Sequence, residues 1–65
     1  MKIYRVTHWF ANEKKEDVLF TKAKNINEAK DAARSFIFLR LMDERRGSVQ
    51  INSLMNDLRM RVRPS

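Results

Sequence analysis

The chain has no cysteine, one glycine, one proline and one histidine in 65 residues. Without cysteine there is no disulfide and no thiolate metal site to stiffen so short a chain. One glycine leaves no Gly-rich phosphate loop and no G-x-S-x-G nucleophile turn. With His8 alone, no H-E-x-x-H pair can form, and no spacing of ligands suited to a metal occurs. The paired acids Glu16-Asp17 and Asp43-Glu44 lie in polar surroundings, the second beside Arg45 and Arg46, and read as solvated charge. His8 alternates with Tyr4, Val6 and Phe10 and reads as a half-buried structural histidine. The expectation is therefore a protein that is not an enzyme and takes no cofactor or metal.

Long apolar runs are also missing. The longest, FIFLRLM over residues 36–42, contains Arg40 and falls far short of the ~20 residues a membrane helix needs. Lys2 and Arg5 are not followed by an apolar stretch, so no signal peptide is expected. These absences predict a cytoplasmic protein, with no membrane partner.

What is abundant is positive charge. Fourteen Lys and Arg face eight Asp and Glu, for a net charge of +6. The balance is uneven. Residues 1–33 hold six Lys and Arg5 against five acids, whereas residues 34–65 hold seven Arg and three acids. Arginine presents a planar fork suited to carboxylates and phosphates. A recognition surface is accordingly sought in the second half. With 43% hydrophobic residues the chain has the composition of one small globular domain spanning 1–65.

KIYRVTHWF, residues 2–10, is rich in β-branched and aromatic residues and predicts a strand. Tyr4, Val6, His8 and Phe10 share one face; Ile3, Arg5, Thr7 and Trp9 share the other. ANEKKED reads as a hairpin loop, and VLFTKAK, 18–24, as the second strand. Leu19, Thr21 and Ala23 face one way; Val18, Phe20, Lys22 and Lys24 face the other. Asn25 with Glu28 three residues on marks a helix start. Ile26, Ala29, Ala33 and Phe36 or Ile37 then recur at helical spacing. Arg45, Arg46 and Gly47 suit its end. FIFLRLM is apolar nearly all round. A buried strand is an alternative there, but helix is preferred because nothing breaks the pattern on either side. Its excess apolar surface needs a neighbour, either the C-terminal segment or a second copy covering Phe38, Leu41 and Met42. SVQIN alternates Val49 and Ile51 as a short strand would. SLMND fits either a turn or one helical turn. LRMRVR is the closing strand, ended by Pro64. The fold class expected is α+β: a small antiparallel sheet of three to four strands packed on one helix, in the order β-β-α-(β)-β.

The closing strand carries the strongest functional pattern. Leu58, Met60 and Val62 alternate with Arg59, Arg61 and Arg63, so one face buries and the other presents three guanidinium groups spanning roughly 13 Å. A solvated edge that resists aggregation would account for charge. Mixed charge would serve that purpose equally well, whereas this face has no acid. Arg5 extends the ladder if the first and last strands pair. Trp9 shares that face with Arg5; it reads either as a core residue or as an exposed anchor for a partner. The expected partner-binding residues are Arg59, Arg61, Arg63, Arg5 and Trp9.

VLFTKAKNINEAKDAA, a strand leading into a capped Ala-rich helix, and the closing RMRVRPS together resemble the small inhibitors of bacterial RNA polymerase made by T7-like phages. The resemblance covers about half the chain in two pieces. It implies a phage protein acting in the bacterial host, with Arg61 and Arg63 on the polymerase and transcription blocked by binding. The resulting expectation is a binding protein, an inhibitor or regulator, whose Arg strand meets an acidic surface of a bacterial host protein such as RNA polymerase. The alternative is a nucleic-acid-binding protein that lays the basic sheet face on phosphates.

Overall fold

The computed structural model describes all 65 residues as β1 (Lys2–Phe10), β2 (Asp17–Ala23), α1 (Ile26–Asp43), α2 (Ser48–Asp57) and β3 (Leu58–Pro64). The three strands form one antiparallel sheet in the order β2-β1-β3. The architecture is α+β, as the sequence pattern predicts, with two helices on one side of the sheet where one was expected. The molecule measures 35 × 21 × 16 Å along its principal axes. Its shortest dimension accommodates one sheet and one helical layer, with packed layers about 10 Å apart.

β1 is the central strand, and its alternation decides the layering. Tyr4, Val6 and His8 are buried beneath the helices, with Phe10 half-buried beside them. Ala29, Ala33, Ile37 and Leu41 form the buried row of α1 at spacings of three and four. Ala29 keeps the helix close to the sheet beside Tyr4 and Ala23. Fully burying Val6 and Ile37 contributes about 1.5–3 kcal/mol each. Asn25 starts the helix as predicted: its side-chain Oδ1 accepts the Glu28 N–H at 2.8 Å. Of the alternatives left open, Ile37 takes the core position and Phe36 points to solvent. Ile26, expected on the inner row, is exposed as well.

Three further expectations are corrected. The helix stops at Asp43, and the left-handed residue after it is Arg45, with φ of 59°, not Gly47. Gly47 has an extended φ of −65° and stands as the N-cap of α2, where its N–H donates to Gln50 Oε1 at 3.4 Å. SVQIN is not a strand: it is the first half of α2, and SLMND is the second. Ile51 is buried with Leu54 and Met55 packed beside it, while Val49 is 80% exposed. Burial at i, i+3 and i+4 is the helical period, so the Val49–Ile51 alternation was coincidental. Leu41, expected on an outer face with Phe38 and Met42, is 4% exposed and packs with Ile37, Ile51 and Leu58 in the main core cluster. It takes no part in any outer surface.

β3 lies at the sheet edge, which is why Pro64 is tolerated opposite Tyr4. The chain passes it and Ser65 N–H still donates to the Ile3 carbonyl at 2.9 Å.

Candidate functional site: a basic sheet face

The side of the sheet turned away from the helices is uncovered. Its composition follows from two registers. Arg5 lies opposite Phe20 on β2 and Arg63 on β3; Thr7 lies opposite Val18 and Arg61; Trp9 lies opposite Arg59; Ile3 lies opposite Lys22. Arg5, Lys22, Arg59, Arg61 and Arg63 are all exposed, and none of the paired strand residues on this face is Asp or Glu; Glu16 stands just before β2, at the margin of the face. The five residues singled out from the sequence therefore do come together on one surface.

The sheet also adds what sequence reasoning missed. Phe20, 62% exposed, Val18 and Ile3 stand on the same face as the arginines. The face divides into an apolar half on β2 and the near side of β1, and an arginine half on β3. Alternation already grouped Val18 with Phe20 and Arg5 with Trp9. Only the β1–β2 register shows that the two groups share one side.

Trp9 is half-buried on this open face rather than in the core. The Arg61 guanidinium carbon sits 5.5 Å from the Trp9 ring centroid, within cation–π range. That contact shields one side of the indole and holds Arg61 in place. Arg59 is anchored differently: its Nη1 donates to the Asn56 and Leu58 carbonyls at 3.1 and 3.2 Å. Arg5 and Arg63, directly opposite each other, have no acidic partner. The two ion pairs of the molecule are Arg40 with Asp17 at 4.0 Å and Arg46 with Glu44 at 2.7 Å. Like charges facing each other across strands oppose folding. The Arg5–Arg63 pair thus costs stability that an anion laid across it would return.

His8 lies on the opposite, covered side, 3% exposed. Burial holds its pKa below the usual 6.5, Arg40 adds to the lowering, and Asp17 opposes it. It is part of the core and is screened from the basic face by the sheet. No group of three or more His, Cys, Asp or Glu is arranged to hold a metal. No helix is long and apolar enough to cross a membrane.

Comparison with protein-family models, curated proteins and solved structures finds no match. The functional reading accordingly rests on the face itself.

Proposed function

We propose that this is a non-enzymatic binding protein, an inhibitor or regulator, whose open sheet face docks on an acidic surface of a bacterial host protein. The observation that carries the reading is the composition of that face. Arginine, tryptophan and phenylalanine stand together with aliphatic Ile3 and Val18, and no paired strand position of the face holds an acid. Protein interfaces are enriched in Arg and aromatics and depleted in Asp and Glu, and their strongest contacts come from Trp and Arg. A nucleic acid would use the arginines but gain little from aliphatic Ile3 and Val18. In this docking, Arg5, Arg61 and Arg63 meet carboxylates, while Phe20 and Val18 enter an apolar recess. The pairing of RMRVRPS with a strand–helix junction makes bacterial RNA polymerase the first target to test.

A second reading is favoured by the acid-free strand β3 and the net charge of +6: single-stranded nucleic acid lying along β3, with bases stacked near Trp9 and Phe20.

The test is capture from nuclease-treated bacterial lysate on the immobilised full chain, compared with the Arg61→Ala/Arg63→Ala variant. Both side chains are exposed and make no hydrogen bond, and Arg61 gives up only its contact with the Trp9 ring, so the variant should retain its far-UV spectrum and melt within about 3 °C of the parent. The expected result is one host protein retained by the parent and lost from the variant. Retention that vanishes with nuclease and returns with added oligonucleotide would replace the protein reading by the nucleic-acid one. A variant that binds like the parent would remove the arginine ladder from either.

A further inference from the structure

The two edges of the sheet are unequal. β3 carries three arginines and Pro64, features that keep an edge from pairing. β2 has no proline, and its central residues Val18-Leu19-Phe20-Thr21 are uncharged. None of the seven backbone hydrogen bonds made outside the regular elements reaches β2, and none of the side-chain bonds does. Its outward amides and carbonyls therefore have no partner within the chain. The helical layer covers one end of this strand, where Ala23 is buried against Ala29, but leaves its middle partly open. Leu19 and Thr21 point toward the helices yet are only half-buried, whereas Tyr4, Val6 and His8 on β1 are buried. Between the β2 margin and α1 lies an open apolar hollow of about 210 Å³, lined by Leu19, Phe20, Thr21, Ala32 and Phe36.

We infer that the β2 edge pairs with the β2 edge of a second copy, giving a two-fold dimer with one continuous six-stranded sheet. Symmetry and the strand itself choose the register. A two-fold axis normal to the sheet places residues of equal facing opposite each other, so the sum of paired residue numbers must be even. All seven residues Asp17–Ala23 overlap only when the axis passes through Phe20, the midpoint of β2. Leu19 then faces Thr21 of the other copy, and Val18 faces Lys22. Phe20 meets its own copy as a cross-strand aromatic pair. The flanking residues complement each other in charge: Glu16 falls opposite Lys24, twice. A register centred on Leu19 would instead set Lys14 against Lys24, like against like. Phe36 and Ala32 on the α1 flanks meet across the axis and close the hollow. Both open faces emerge on the same side, with the two arginine ladders at the outer edges. Five strand spacings separate them by roughly 24 Å. A bivalent basic surface is the consequence, independent of which anion it meets.

The experiment is sedimentation of the full chain across a concentration series, with variants that read the register. The parent should reach twice the 7.8 kDa chain mass. Phe20→Lys should remain at the chain mass, its circular dichroism unchanged because Phe20 is exposed. Lys24→Glu should weaken the dimer at least tenfold, and Glu16→Lys combined with Lys24→Glu should restore it. A chain without cysteine allows one further reading. Opposed Cα atoms across an antiparallel ladder lie about 4.5–5.5 Å apart, within disulfide range. Phe20→Cys should therefore cross-link under mild oxidation much faster than Phe38→Cys. A parent that stays monomeric at every concentration would overturn the inference. So would a dimer that survives Phe20→Lys but is broken by Phe38→Lys, which would place the interface on the helices.

Discussion

His8 is the residue whose chemistry is set most strongly by its place in the fold. It is buried on the covered side of β1, and its pKa lies below the usual 6.5. The unfolded chain therefore takes up a proton at this position before the folded one does. Stability that is present above about pH 6.5 is lost as pH falls toward the folded value. The melting temperature should drop between about pH 7 and pH 5, before most carboxylates titrate. In His8→Phe that decline should largely disappear; an unchanged slope would assign the acid sensitivity elsewhere. Trp9, the next residue, shows how one position along a strand exchanges core for surface. The alternation Tyr4, Val6, His8, Phe10 against Ile3, Arg5, Thr7, Trp9 was legible because a strand has a period of two. Which of the two mixed faces would be covered was not legible, since both contain aromatic residues.

At the scale of elements, the instructive case is α2. Within its ten residues the alternating pair Val49 and Ile51 made SVQIN read as a short strand, while SLMND fitted either a turn or one helical turn. Packing decided otherwise: α1 needed a neighbour for Ile37 and Leu41, and a helix supplies Ile51, Leu54 and Met55 from one side. Ile51→Val should accordingly cost about 0.5–1.5 kcal/mol, a fall of several degrees in melting temperature for a domain this small. Val49→Ala should leave stability within about 0.5 kcal/mol, because Val49 stands in solvent. Equal losses at the two positions would contradict the helix. The link between α1 and α2 offers a second check. Arg45 adopts a left-handed φ that costs a side-chain-bearing residue about 1–2 kcal/mol. Arg45→Gly gives part of that back to greater freedom in the unfolded chain and should still stabilise by about 0.5 kcal/mol in chemical denaturation. Gly47 itself has an extended φ of −65°, so glycine's freedom is not used there, and the glycine signal pointed two residues past the left-handed position at Arg45.

For the whole molecule, the sorting of charge matters more than its sum. A net charge of +6 could be spread over the surface, but Glu13 and Glu16 lie in the β1–β2 loop, Asp17 on the covered side of β2, and the other acids on the helices and the link between them. The paired strand positions of the open face are left without one. Binding through that face should therefore weaken as salt rises, since counter-ions screen exposed arginines over about 10 Å at 0.1 M. Retention of the partner should fall several-fold between about 0.05 and 0.3 M salt without vanishing, because Phe20 and Val18 contribute an apolar part that salt does not screen. Complete loss would leave the apolar half without a role. Salt-independent binding would leave the arginines without one.

The strands β1, β2 and β3, the Asn25 start of α1 and the arginine ladder were determined by the sequence alone. Each rests on a local rule: two-residue alternation, a side-chain cap, a 3.6-residue spacing. Tertiary structure decided the rest. It placed Leu41 inside, made a helix of residues 48–57 and left one side of the sheet bare. Above all it brought Phe20 and Val18 beside Arg5, Arg61 and Arg63. Arg61 and Arg63 stand more than forty positions from Phe20 and Val18 along the chain, and only strand register, fixed by burying Tyr4, Val6 and His8 under α1, sets them all on one face.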